Sequence, residues 1–104
     1  MKMYDIINTT ERKELKEMKV IIINEENHGF IGVAKDMDSA FRFLIEEDWV
    51  DGLWDNMKQI YVSPEELYHR YNVDNLFDLL KAMYRADDNA FDGMFYFTER
   101  TVFE

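Results

Sequence analysis

Residues 19–35 read KVIIINEENHGFIGVAK, and this stretch decides the fold. Residues 19–24 are a run rich in β-branched side chains, which is typical of a strand. Residues 30–35 form a second apolar run, and the polar loop between the two contains Gly29. Two such runs joined by a short loop with glycine predict an antiparallel hairpin. Gly32, inside the second run, predicts a β-bulge or a close approach to the backbone.

The hairpin is followed by a predicted helix over roughly residues 37–50. Asp36 or Asp38 can cap its first turn, and Asp51-Gly52 is expected to break it. One stripe at helical spacing is apolar and ends in a carboxylate; its members are Met37, Ala40, Phe41, Leu44, Ile45 and Asp48.

The second half of the chain predicts four more elements. Ser63-Pro64-Glu65-Glu66 is a helix start, because Ser63 can cap, Pro64 suits the first helical position and Glu66 completes a capping box. The expected elements are a short strand at 59–62, a helix to about Tyr71, a helix from Asp74 or Asn75 to about Arg85, and a strand or strand pair at 93–103.

The order of these elements predicts an α+β fold. A small antiparallel sheet, made of the N-terminal hairpin and the C-terminal strand, should carry about three helices packed on one face. Residues 10–18 predict a weak, charged helix, so that residues 1–18 form a loosely packed N-terminal segment. The length suits a single domain over residues 1–104.

Composition restricts the partners that the chain can have. The net charge is −10, with 22 acidic residues spread along the chain, and this balance repels nucleic-acid phosphates. The same charge attracts basic protein surfaces, although it also suits a merely solvated surface. There is no cysteine, no signal-peptide-like run in MKMYDII and no stretch of membrane-span length. We therefore expect a cytoplasmic protein that binds neither membrane nor nucleic acid directly.

No catalytic motif stands out in the sequence. The serines, Ser39 and Ser63, lie near helix starts, and the histidines, His28 and His69, belong to separate elements. Phosphate-binding glycine loops and zinc motifs are absent. We therefore expect no enzyme activity and no cofactor. The acidic pairs Asp36-x-Asp38 and Asp87-Asp88 keep a metal-dependent nuclease open as an alternative.

Residues 88–99, DNAFDGMFYFTE, match a calcium-binding EF-hand loop in part. Asp88, Asp92, Gly93 and Glu99 fall at loop positions 1, 5, 6 and 12. Position 3 is Ala90, which offers no side-chain oxygen, and the aromatic run that follows favours a strand. A turn followed by a strand is the preferred interpretation, with calcium binding as the alternative.

Acidic and large aromatic side chains are most densely clustered in IEEDWVDGLWD, residues 45–55. If the helix runs on briefly, Glu47 and Asp51 stack on one ridge, with Cβ atoms about 5–6 Å apart. Such a ridge can imitate the phosphates of a nucleic-acid strand. Each tryptophan is either part of the core or an exposed anchor for a partner. The candidate contacts are Glu46, Glu47, Asp48, Asp51 and Asp55, with Trp54 as the anchor.

The stretch HGFIGVAKDMDSAFRFLIEEDWVDG, residues 28–52, resembles small proteins of phages and plasmids of Gram-positive bacteria. In size, acidity, lack of cysteine and lack of a catalytic motif, the whole chain is similar to the type II-A anti-CRISPR proteins. The resemblance implies an inhibitor that binds the RNA-guided CRISPR nuclease, in several cases as an acidic mimic of its nucleic-acid ligands. These proteins share no common fold or motif, so the resemblance assigns no functional residue.

Two functions follow as hypotheses from these observations. The first is a non-enzymatic inhibitor that binds a type II CRISPR nuclease and blocks guide RNA loading or DNA engagement through its acidic surface. The second is a DNA-mimic antirestriction protein, or another phage or plasmid interaction module, with a different basic target.

Overall fold

The computed structural model describes residues 17–103, and at residues 17 and 103 it describes the backbone only. The predicted helix over residues 10–18 lies outside this range, apart from Glu17 and Met18, which belong to a strand. The elements in chain order are β1 (Glu17–Glu25), β2 (Gly29–Ala34), α1 (Met37–Glu46), β3 (Leu53–Asp55), β4 (Ile60–Val62), α2 (Glu65–Tyr71), α3 (Leu76–Ala86) and β5 (Phe95–Phe103). The fold is α+β, as predicted.

The main sheet has three antiparallel strands in the order β2-β1-β5. The predicted hairpin of β1 and β2 is confirmed, and it contains a β-bulge: Ile23 pairs with Gly32, whereas Asn24 pairs with Phe30. Ile31 is the extra residue, so the strand changes its alternation there. The close approach is confirmed too, because a Cβ added at Gly32 would lie 2.7 Å from Cζ of Phe43.

One face of this sheet carries the core. Ile21, Ile23 and Phe95 are buried on it, and Phe97 packs against them at half burial. Helix α1 lies against β1 and β2, and α3 packs against both α1 and α2. The residues that the helices bury in this core are Ala40, Phe41, Leu44, Leu67, Leu79, Leu80 and Met83. The other face of the sheet, which we call the outer face, points away from the helices.

The helix boundaries follow from local capping. Asp36 caps α1 by accepting a hydrogen bond from the Ser39 amide at 2.8 Å, and Asn75 caps α3 by accepting one from the Asp78 amide at 2.8 Å. The capping box predicted for α2 is wrong in detail. The Ser63 hydroxyl donates to the Glu66 carboxylate at 3.3 Å, and no side chain caps the first amides of α2.

A second, two-stranded sheet pairs β3 with β4. The strand predicted at residues 59–62 is confirmed as β4, but its partner β3 was not predicted. Leu53, Asp55 and Val62 point into the protein from this hairpin, while Trp54 and Tyr61 form the opposite, outward pair.

Candidate protein-interaction surface

Helix α1 ends earlier than the sequence predicts, and the turn that ends it exposes four carboxylates. The Trp49 amide donates to the Leu44 carbonyl at 2.8 Å and the Asp48 amide to the Ile45 carbonyl at 3.2 Å. This is a Schellman motif, with Asp48 in the left-handed conformation at φ 59°. We call the exposed residues of this turn, Glu46, Glu47, Asp48 and Asp51, the acidic turn.

The early helix end removes the ridge that the sequence suggested. Glu47 is the C-cap of α1, and the chain has left the helix before Asp51. The two side chains therefore do not stack at helical spacing, and the prediction of a Glu47–Asp51 ridge is wrong. The carboxylates of the acidic turn are exposed, and among residues 17–103 none of them makes an ion pair.

Asp55, the fifth predicted carboxylate, lies in the interior. Its side chain is 2% exposed and accepts two hydrogen bonds from Arg70: Nη1 to Oδ1 at 2.9 Å and Nη2 to Oδ2 at 3.0 Å. The amides of Met57 and Lys58 also donate to Oδ1, at 2.9 and 3.2 Å. Its prediction as a surface contact therefore needs correction, because the carboxylate is committed to groups of its own chain.

These hydrogen bonds determine the charge of Asp55. The Arg70 guanidinium, followed by the amides of Lys58 and Met57, outweighs the opposing effect of burial and lowers the pKa of Asp55 from 3.8 to about 2. The same contact raises the pKa of Arg70. The pair is ionised across the physiological range and ties the β3–β4 hairpin to α2.

Trp54 lies half-buried beside the acidic turn, on the outward side of the β3–β4 hairpin. Its ring meets that of Tyr61 edge to face, with centroids 5.1 Å apart. Beside this pair Tyr61 itself is 60% exposed and Met57, in the turn of the hairpin, is 78% exposed, whereas Ile60 pairs with Asp55 on the other face of the hairpin. We call Trp54, Met57 and Tyr61 the hairpin patch. Exposed apolar side chains grouped on one small hairpin are typical of a protein-binding surface.

A cleft of about 160 Å³ runs from the hairpin patch towards α2 and α3. Trp54 and Met57 form one wall, and Arg70, Tyr71 and Asp87 contribute to the remainder. It is too small for most small-molecule ligands, which occupy roughly 300 Å³ or more. A single side chain of a partner would fit its size.

Trp49, the other tryptophan, lies within the turn that ends α1. It is half-buried, packs against the core and meets the His28 ring edge to face at 5.1 Å. Neither tryptophan is fully buried and neither is among the most exposed apolar residues. Each tryptophan therefore contributes packing and leaves part of its side chain exposed, and the role of Trp54 as an anchor for a partner stays a prediction.

The residues considered for catalysis are dispersed through the fold. The Ser63 hydroxyl contacts Glu66, and His28 Nδ1 lies 2.7 Å from the Glu25 carboxylate. Within residues 17–103, no hydrogen bond joins a serine to a histidine. In the same range, no group of three or more acidic or histidine side chains is placed to hold a metal ion. Of the partial calcium loop, residues 95–99 belong to strand β5, in agreement with the preferred interpretation.

The sequence analysis missed the exposed members of the hairpin patch, Met57 and Tyr61. The sequence signal for them was the possible pairing of LWD at 53–55 with IYV at 60–62, which places Trp54 opposite Tyr61.

None of the helices in the described part of the chain is long and apolar enough to cross a membrane. Comparison of the chain with protein-family models, curated proteins and solved structures finds no match.

Proposed function

We propose that this chain is a non-enzymatic inhibitor that binds the basic surface of a nucleic-acid enzyme. The partner we propose is a type II CRISPR nuclease, as the resemblance of residues 28–52 implies. The protein would act in the cytoplasm of a bacterial host cell, by occupying a basic channel that holds guide RNA or target DNA.

One observation carries this proposal: the acidic turn and the hairpin patch are adjacent in the chain. Asp51 is separated from β3 by Gly52 alone, and Trp54 is the second residue of that strand. Anions close to partly exposed aromatic side chains supply the two contributions that a protein partner needs. The carboxylates steer a basic surface into contact, and the apolar side chains supply buried area once contact is made.

The charge of the acidic turn is directed outwards by its local geometry. The left-handed residue Asp48 reverses the chain, so that the carboxylates on both sides of it remain in solvent. At a helix C-terminus these anions oppose the helix dipole, which disfavours them locally. An arrangement that is unfavourable for the isolated helix is more easily understood if a cationic partner contacts it.

The test is cleavage of target DNA by a purified type II CRISPR nuclease, with this protein added before or after the guide RNA. We expect inhibition by the wild-type chain, and its dependence on the order of addition identifies the blocked step. Inhibition should weaken as the salt concentration rises, because salt screens exposed charges.

Matched variants make this test specific to the surface. The first reverses Glu46, Glu47 and Asp51 to lysine. The control reverses three other exposed carboxylates, Glu65, Asp88 and Asp92, and thus changes the net charge equally. We expect inhibition to be lost in the first variant and largely kept in the control. Trp54→Ala should weaken inhibition more than Trp54→Phe, with circular dichroism verifying the fold of every variant.

Equal loss of inhibition in both lysine variants would mean that net charge alone acts, and it would remove the proposed surface. Absence of inhibition with several type II-A nucleases would remove the CRISPR partner. Inhibition of a restriction endonuclease in a parallel assay would then identify the antirestriction function instead.

A further inference from the structure

The outer face of the three-stranded sheet is apolar and open to solvent. Strand pairing puts alternate residues of β1, β2 and β5 on this face. Five of them are large apolar side chains that are 41–62% exposed: Met18, Phe30, Val33, Tyr96 and Val102. Half-buried Val20 and Ile22 lie between them. A sheet face that exposes so many large apolar side chains is unusual on a monomeric protein unless another surface covers it.

The outer face is also the part of the sheet that lacks carboxylates. Its ten positions carry a single charge, the guanidinium of Arg100; they are Met18, Val20, Ile22, Asn24, Phe30, Val33, Tyr96, Thr98, Arg100 and Val102. The chain as a whole carries a net charge of −10. Two copies of so acidic a chain repel each other, and the repulsion is smallest where they meet through a surface without anions. A strongly basic partner would find few anions to bind on this face.

The charged groups at this face lie towards its two opposite ends, which favours contact with a second copy of the chain. The cross-strand rows run in order from Met18–Val102, through Val20–Arg100 and Ile22–Thr98, to Asn24–Tyr96. Arg100 thus lies towards one end of the face. At the other end the Tyr96 hydroxyl donates to the Glu26 carboxylate at 2.5 Å, which holds an anion at the border of the face.

A two-fold axis that lies between two stacked outer faces and runs perpendicular to the strands exchanges these two ends. Two sheets stacked face to face, about 10 Å apart, would place the Met18–Val102 row over the Asn24–Tyr96 row of the partner subunit. The Val20–Arg100 row would then lie over the Ile22–Thr98 row of the partner subunit. The long side chain of Arg100 would extend towards the next row, where the partner's Tyr96 holds the partner's Glu26, and symmetry would repeat the contact. The interface would bury both apolar faces and form two opposite-charge contacts.

We propose that the outer face of the sheet is the interface of a homodimer in which the two sheets pack face to face with antiparallel strands. This interface is separate from the acidic turn, which lies in the helix layer on the opposite side of the sheet. Dimer formation therefore leaves the proposed partner-binding surface accessible in both subunits, and its test does not depend on inhibition.

Analytical ultracentrifugation of the full chain over a broad concentration range tests the proposal. We expect a species of twice the 12.6 kDa chain mass. Val33→Lys should shift it to the monomer, raising the dissociation constant by at least about tenfold. Ile60→Lys is the matched control, because Ile60 and Val33 are both 51% exposed, but Ile60 lies on the second sheet. The control should remain dimeric.

A charge exchange tests the antiparallel arrangement. Arg100→Glu and Glu26→Arg should each weaken the dimer, because each places like charges opposite one another. The double variant should restore it. Failure of the double variant to restore association would overturn the antiparallel arrangement. A dimer that tolerates Val33→Lys would overturn the interface. A monomer at all concentrations would overturn the proposal as a whole.

Discussion

Arg70 on α2 holds Asp55 on β3 through two parallel hydrogen bonds, of 2.9 and 3.0 Å, and this pair connects the β3–β4 hairpin to the helices. Removing Arg70 leaves the Asp55 carboxylate, which is 2% exposed, as a charge without its counterion, and removing the carboxylate deprives Arg70, whose side chain is 33% exposed, of both hydrogen bonds. We expect Asp55→Asn and Arg70→Gln each to lower the urea midpoint of unfolding clearly. The double variant should lose much less than the sum of the two, because the interaction can be lost only once. Additive losses would show that the two side chains stabilise the fold independently.

Stability should fall in acid because of the same pair. The pKa of Asp55 in the folded protein, about 2, is below its ordinary value of 3.8. The contribution of the ionised Asp55 to the free energy of unfolding is therefore fully present above about pH 3.8. It is lost as the pH falls through about 2, since the carboxyl group takes up a proton more readily in the unfolded chain. Urea unfolding measured between these pH values should show a steeper decline for wild type than for Asp55→Asn. Parallel curves for the two proteins would contradict this assignment.

Gly32 has no room for a side chain while Phe43 occupies its present position. The Cβ of Gly32→Ala would lie 2.7 Å from Cζ of Phe43, so the ring must shift within the core. We expect a loss of about 1–3 kcal/mol in the free energy of unfolding. The additional substitution Phe43→Leu should recover part of it by shortening the side chain. Gly52→Ala is the control, because its nearest neighbour, the Val62 carbonyl oxygen, lies at 3.6 Å, and it should change stability little.

Asp48 combines a strained backbone with an exposed charge, so its effects on stability and function should oppose each other. Asp48→Gly removes the cost of the left-handed conformation and should stabilise the protein by about 0.5–1 kcal/mol. Asp48→Asn removes the charge but keeps a side chain of similar size, so it isolates the contribution of the charge to inhibition. If the acidic turn binds a cationic partner, both variants should inhibit more weakly despite their equal or greater stability. Thermal unfolding and the cleavage assay measure the two effects separately.

The elements that sequence patterns predicted are those whose signal is local. The strands β1 and β2 follow from the two apolar runs around Gly29, and α3 follows from its apolar stripe and the cap at Asn75. The sequence predicts the end of α1 at about residue 50, because Asp51-Gly52 is a typical helix-breaking pair, and this prediction is wrong. The chain instead turns at Asp48, a residue type that adopts the left-handed conformation far less often than glycine.

The candidate site was predictable only in part, for a different reason. Glu46 and Glu47 lie on the surface as their charge suggests, whereas Asp55 is buried because Arg70, fifteen positions further along the chain, reaches it. Sequence patterns give no indication of a bidentate contact between two elements. For the same reason β3 was missed: three residues carry little signal until β4 pairs with them.

The pairing of β1 with β5 has a consequence for the newly made protein. It joins residues 17–25 to residues 95–103, and everything between them must be looped out before it forms. Closing so long a loop costs conformational entropy before any stabilisation is returned. On the ribosome, the β1–β2 hairpin can form early, but β1 keeps one edge open until residues 95–103 have been synthesised. During that interval the run KVIIINE can pair with other nascent chains, so misassembly threatens this protein mainly while it is being made.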